Sequence, residues 1–123
     1  MNDLQGVVVC HGAIAEALVE AAEQISGVRG VLQAVSNTGC DRGALEQRIL
    51  TAVGDRPTVV FVDMASGSCL IAVLARLRER ESVKVVTGVN LAMLIDFVFH
   101  LSQAPDAAAS RAAAAGERAI KVP

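Results

Sequence analysis

Thr58-Val59-Val60-Phe61-Val62 is an unbroken apolar and β-branched run, stopped by Asp63 and the small residues Ala65-Ser66-Gly67-Ser68. A run of this length with turn signals at both ends reads as a buried strand. The turn Gly54-Asp55-Arg56-Pro57 precedes it. Before that turn, Asp41 is placed to cap a helix carrying Leu45, Ile49 and Val53 inward. After the strand, a helix is expected from Cys69 to Arg80 with Leu70, Val73, Leu74 and Leu77 inward. A further strand follows at Val83–Thr87.

The same alternation continues in both directions. Gln5–Cys10 (QGVVVC) is a second buried strand, ended by His11-Gly12. Ile14, Leu18, Ala21, Ala22 and Ile25 then recur at helical spacing, with Glu16, Glu20 and Glu23 opposite. Gly27 ends that helix. Val31–Ser36 is a weaker strand, and Asn37-Thr38-Gly39 is a loop. Toward the C-terminus, Gly88-Val89-Asn90 leads into a helix through Leu101. Pro105 opens an Ala-rich helix that ends near Gly116, and the tail Ala119–Val122 offers a short fifth strand. No linker, repeat or second domain is evident, so residues 1–123 read as one domain.

Alternating strands and helices predict an α/β fold with a mainly parallel sheet covered on both faces. Right-handed crossovers make 2-1-3-4 the simplest doubly wound order. Its switch point lies between the first and third strands, and ligand chemistry in such sheets gathers at the carboxyl ends there. The residues ending those strands are His11 and Asp63. A carboxylate holding one imidazole nitrogen fixes the tautomer and frees the other nitrogen to attack. Asp63 also reads as a capping or loop carboxylate. Ser66-Gly67-Ser68 reads equally as a plain N-cap or as an anion-binding helix start. His100 lies in a helix and reads as structural.

Composition narrows the function. Hydrophobic residues make up 53% of the 123 and mean hydropathy is +0.47, which excludes a disordered chain. Net charge is −2 and there are three Phe with no Trp or Tyr, so neither the basic footprint nor the stacking platform of a nucleic-acid binder exists. No apolar stretch reaches membrane-spanning length. Met1-Asn2-Asp3 lacks the basic start of a signal peptide, and three cysteines are few and odd in number. A reducing cytoplasm is therefore expected. There is no C-x-x-C, neither His has ligand-like spacing, and no nucleotide-binding glycine motif occurs. No metal site and no cofactor are expected.

Three segments carry a resemblance. Val7-Val8-Val9-Cys10-His11-Gly12 is similar to the strand and T-H-G of the mannose-family EIIA domain of the bacterial phosphoenolpyruvate:sugar phosphotransferase system. Val60–Ser68 is similar to its V-x-x-x-D-x-x-G-G-S segment, and Thr87–Leu94 resembles its G-V-N-x-P-M-L segment. The segment Ala115–Lys121 is also similar to the family's C-terminal end. The resemblance implies a doubly wound homodimer with an exchanged C-terminal strand. It implies a phosphocarrier whose His11 takes a phosphoryl group from the carrier HPr and passes it to an EIIB component for sugar uptake. Asp63 would orient His11, and Gly12, Gly67 and Ser68 would hold the phosphoryl group. Other readings are a phosphoryl donor or regulatory domain like the dihydroxyacetone kinase phosphocarrier, a silent dimerisation module, and a Ser68/His11/Asp63 hydrolase.

The sequence departs from the family where Ser66-Gly67-Ser68-Cys69-Leu70-Ile71 replaces G-G-S-P-x-N, where Cys10 replaces the Thr before His, and where Ala92 replaces a Pro. These changes bring two thiols close to the expected site. Cys10 and Cys69 read either as small buried hydrophobes or, for Cys69 at a helix start, as a thiol of lowered pKa open to oxidation.

Overall fold

The computed structural model describes residues 4–123. Four strands, β1 (Gln5–Cys10), β2 (Leu32–Ser36), β3 (Thr58–Val62) and β4 (Val83–Thr87), form one parallel sheet in the order β2-β1-β3-β4. Val7 faces Gln33 on one side and Val60 on the other, and Val60 in turn faces Val85. Every residue of β1 and β3 is buried. Their unbroken apolar runs follow from that: a central parallel strand is covered on both faces.

Five helices supply the cover: α1 (Ile14–Ser26), α2 (Arg42–Val53), α3 (Ser68–Leu77), α4 (Leu91–Val98) and α5 (Pro105–Arg118). One face of the sheet carries Val8, Val59 and Phe61 against Ala15, Ala22, Leu94, Phe97 and Ala112. The other carries Val7, Val9, Val60 and Val62 against Leu45, Ile49, Val73 and Leu77. Asp41 caps α2 by accepting from the Ala44 N–H at 2.9 Å, as its place in the sequence suggests. Asn90 caps α4 in the same way and also donates to the Gly116 carbonyl of α5, joining the two helices.

Several expectations need correction. Ile14 and Ile25 do not face inward; they are 47% and 61% exposed, and α1 buries Ala15 and Ala22 instead. The apolar stripe is rotated so that small side chains meet the sheet, with Leu18 and Val19 packed beside them. Helix α3 ends at Leu77 rather than Arg80, because the Arg80 N–H turns back to the Leu77 carbonyl. Helix α4 ends at Val98 rather than Leu101, where the Phe99 and His100 N–H groups bond three residues back. Helix α5 runs past Gly116 to Arg118. Residues 119–123 form no strand on their own sheet, and Ile120 and Val122 are 76% and 98% exposed.

Gly6 is required by packing. A Cβ there would lie 2.6 Å from Leu32 Cδ2 and 3.0 Å from Phe97 Cε2. The Phe97 ring, edge-on to Phe61 with centroids 5.3 Å apart, has little room to yield. Gly6→Ala should therefore overpack this side of the sheet by about 1–3 kcal/mol. The expected reading is a thermal midpoint lowered by roughly 4–12 °C in circular dichroism. An unchanged midpoint would show that Leu32 gives way freely.

Candidate functional site

The order β2-β1-β3-β4 brings the carboxyl ends of β1 and β3 together, and with them His11 and Asp63. After Cys10 the chain bends through His11 and turns at Gly12, whose φ of 59° suits glycine. Three hydrogen bonds hold this bend. The His11 backbone N–H donates to Asp63 Oδ2 at 2.9 Å. The Gly12 N–H donates to Asn37 Oδ1 at 3.1 Å, and the Ser36 hydroxyl donates to the Gly12 carbonyl at 2.7 Å.

His11 Nδ1 lies 2.8 Å from the same Asp63 Oδ2. Burial acts to raise the Asp63 pKa, but the hydrogen bonds from the His11 backbone and ring outweigh it, and the carboxyl sits below its ordinary value. An ionised carboxylate only accepts, so the ring proton belongs on Nδ1. The lone pair of Nε2 is thereby left free. Nε2 faces Gly67 and Ser68. A Cβ at Gly67 would stand 3.9 and 4.0 Å from His11 Cε1 and Nε2, and Ser68 Oγ is 3.5 Å from Nε2. That last distance exceeds the roughly 2.7–2.8 Å of a good hydroxyl hydrogen bond.

Gly67 precedes α3 with φ of 96° and gives it no side-chain cap. The first N–H groups of a helix lack intrahelical partners, and this helix start stands beside Nε2, with Ser68 Oγ 3.5 Å away. Helices α2 and α4, by contrast, are capped by Asp41 and Asn90. Of the two readings of Ser66-Gly67-Ser68, a side-chain N-cap is absent from α3. The Gly12 N–H is engaged by Asn37. Asn37 and Ser36 are the residues that sequence reading passed over. They stand in the loop and strand end that the 2-1-3-4 order sets beside His11, so the topology itself was the signal.

Cys69 is buried, with Sγ 3.8 Å from His11 Nδ1, and Cys10 is buried at the end of β1. Of the two readings of these thiols, the small buried hydrophobe fits and the thiol of lowered pKa does not. Burial, with the charge of Asp63 added, pushes the Cys69 thiol up to about 11, and the same two causes push Cys10 up to about 12. A neighbouring carboxylate and the loss of water outweigh the helix terminus. His100 keeps its structural reading: its Nδ1 donates to the Asp96 carbonyl at 2.7 Å, remote from the strand ends.

The His11 side chain is partly exposed. A groove of about 600 Å³ runs between β2 and α2, lined by Glu16, Gln33, Ser36, Gln47, Arg48 and Thr51, and neither His11 nor Asp63 lines it. The segments that carry the site instead present three exposed apolar side chains. These are Ile14 in the first turn of α1, Met64 after Asp63, and Ile71 in the first turn of α3.

A family model described as the PTS system fructose IIA component, EIIA-man, matches residues 5–115. Among solved structures, phosphotransferase system component EIIA from Streptococcus agalactiae is similar with a TM-score of 0.88 and 19% identity, over 97% of this chain and 96% of that one. The mannose/sorbose-specific IIA subunit from Enterococcus faecalis is similar at 0.85 and 20%, over 100% and 96%. The IIA protein associated with the fucose utilization operon of Streptococcus pneumoniae is similar at 0.79 and 19%, over 96% and 92%. At these identities the likeness carries the shared doubly wound fold. No curated protein matches the chain.

Proposed function

The chain belongs to the EIIA-man family of phosphotransferase-system components, and from that premise we propose that it is a phosphohistidine carrier acting through His11. The observation that carries the reading is the single Asp63 oxygen that binds both the backbone N–H and the ring Nδ1 of His11. It fixes the ring's direction and tautomer together, with Nε2 aimed at the uncapped start of α3.

The step follows from that geometry. The Nε2 lone pair attacks the phosphorus of a donor phosphohistidine in line. The Nε2–P bond forms as the donor's N–P bond breaks, and the donor imidazole leaves with the bonding pair. The His11 ring then carries positive charge, which Asp63 offsets from Nδ1. The phosphoryl oxygens lie at the N–H groups around Gly67 and Ser68. Passing the group onward is the same displacement in reverse. Alignment and charge stabilisation suffice, and no nucleotide is needed.

Donor and acceptor are proteins on this reading, HPr and an EIIB component. A partly exposed histidine, on segments that also present the exposed side chains of Ile14, Met64 and Ile71, suits docking of another protein surface better than capture of a small substrate. The direct test is incubation with phosphoenolpyruvate, enzyme I and HPr, followed by location of the phosphate. One acid-labile phosphate on His11 is expected. A phosphate that depends on HPr but sits elsewhere, or none at all, overturns the reading. Onward transfer to a purified EIIB separates the sugar-transport role from the kinase-donor alternative.

Self-association belongs to the same proposal. β4 is an edge strand, and a groove of about 330 Å³ beside it is lined by Val85, Val86, Thr87, Ala109, Ser110 and Ala113. The segment 119–123 carries Ile120 and Val122 into solvent. Exchange of this segment between two copies would cover an open edge and two exposed apolar side chains at once. Sedimentation should show a dimer at micromolar concentration, and truncation after Gly116 should shift it to monomer. A monomeric full chain, or a truncated chain of unchanged size, counts against the exchange.

A further inference from the structure

We propose that His11, Asp63 and Cys69 together bind a thiophilic divalent cation such as Zn²⁺, and that an ion held there excludes the phosphoryl group. The second half rests on the phosphocarrier reading; the first does not. One donor atom from each of these side chains lies within 4.8 Å of the others. Nδ1 and Asp63 Oδ2 are 2.8 Å apart, and Cys69 Sγ is 3.8 Å from Nδ1. A tetrahedral ion with bonds of about 2.0–2.3 Å needs donors about 3.4–3.6 Å apart. Small side-chain shifts bring the observed distances to those values.

A second observation points the same way. Asp63 Oδ1 is buried and has no hydrogen-bond partner among the described residues. A buried carboxylate oxygen without a partner is costly, and an adjacent cation relieves it. The donor set selects the ion. A thiolate with an imidazole and one carboxylate suits Zn²⁺ or Co²⁺, whereas Mg²⁺ and Ca²⁺ call for oxygen donors. Entry runs past the His11 ring, whose side chain is 37% exposed while that of Asp63 is 12% exposed. The donors come from the ends of β1 and β3 and from the first turn of α3, which is why no local spacing betrays them.

Binding rearranges two protons. The Cys69 S–H bond breaks, the sulfur pair goes to the metal, and that proton leaves to solvent. The Nδ1–H bond also breaks and its nitrogen pair binds the metal, while that proton is relayed through water to Nε2, whose lone pair forms the new N–H bond. The ion's two charges balance the thiolate and the carboxylate. Nε2 no longer holds a free lone pair, so it cannot attack phosphorus. Conversely, a phosphoryl group on Nε2 keeps the proton on Nδ1 and closes the metal site. Each ligand lowers the affinity for the other, as linkage requires.

The test uses Co²⁺ alone, added to the purified full chain with a non-thiol reductant. One equivalent should give a thiolate-to-cobalt charge-transfer band with tetrahedral visible bands, bleached when Zn²⁺ is added. Cys69→Ser and Cys69→Ala should both lose the charge-transfer band, with far-ultraviolet dichroism confirming that at least one of them folds. Cys40→Ser should keep it, since the Cys40 thiol is turned to the Asn37 carbonyl at 3.2 Å. No band at stoichiometric Co²⁺, or a band that survives loss of Cys69, overturns the site. One equivalent of Zn²⁺ should also slow phosphoryl acceptance from HPr by roughly tenfold or more. Transfer unaffected by bound Zn²⁺ overturns the exclusion. Failure of transfer without metal speaks against the carrier reading alone, because the cobalt spectrum is read independently.

Discussion

His11→Ala should reduce phosphoryl acceptance from HPr to background, at least about a thousand-fold, because the variant lacks the Nε2 that stands beside the start of α3. The expected loss is in chemistry and not in folding. The His11 side chain is partly exposed, and the bend that holds it is fixed by main-chain bonds that alanine keeps. The residue-11 N–H still reaches Asp63 Oδ2, Gly12 still bonds Asn37, and the Ser36 hydroxyl still bonds the Gly12 carbonyl. Losing the ring contact to Asp63 should cost of order 1 kcal/mol, too little to unfold a domain of this size. The measurement pairs labelled-phosphate transfer with a thermal melt. Transfer surviving in a folded His11→Ala variant, with label on His100 or any other residue, would remove His11 from the mechanism.

Much of this arrangement is legible in the sequence because its causes are local or topological. Val59–Val62 and Val7–Cys10 are apolar without a break, as strands covered on both faces must be, and crossover handedness then sets them side by side. The pairing of His11 with Asp63 follows from that adjacency. The parts that were not legible depend on how helices roll against the sheet. Nothing in the spacing of Ile14, Leu18 and Ile25 distinguishes a stripe centred on the isoleucines from one centred on Ala15 and Ala22. The choice falls to the alanines because they let α1 approach closely. Gln5 is a similar case: it is fully buried, its side-chain amide donating to the carbonyls of Ala52 and Val53. A polar residue at a strand start reveals such partners only once α2 is in place. The choice between the two readings of Cys69 turns on electrostatics. A helix start favours thiolate, but the sequence does not show that a carboxylate and full burial oppose it.

Asp63→Asn should slow transfer by roughly a hundred- to ten-thousand-fold while leaving the fold in place. The amide is isosteric and can offer one oxygen to both His11 donors. It can equally present its NH₂ to Nδ1, which moves the ring proton to Nε2 and blocks attack. Even in the productive orientation it brings no charge to offset the positive phosphorylated ring. The variant also carries a pH signature. The Asp63 carboxyl has an ordinary value of 3.8 and lies lower in the folded chain. A lowered carboxyl stabilises the fold fully above its unfolded value, and that stability is lost as pH falls through the folded one. Wild-type thermal midpoints should therefore drop on acidification below about pH 4 partly on account of Asp63, and Asp63→Asn should show a shallower drop over the same interval. Parallel acid limbs in the two proteins would show that the carboxylate does not sense folding. Transfer within a few-fold of wild type would show that His11 needs no partner to hold its tautomer.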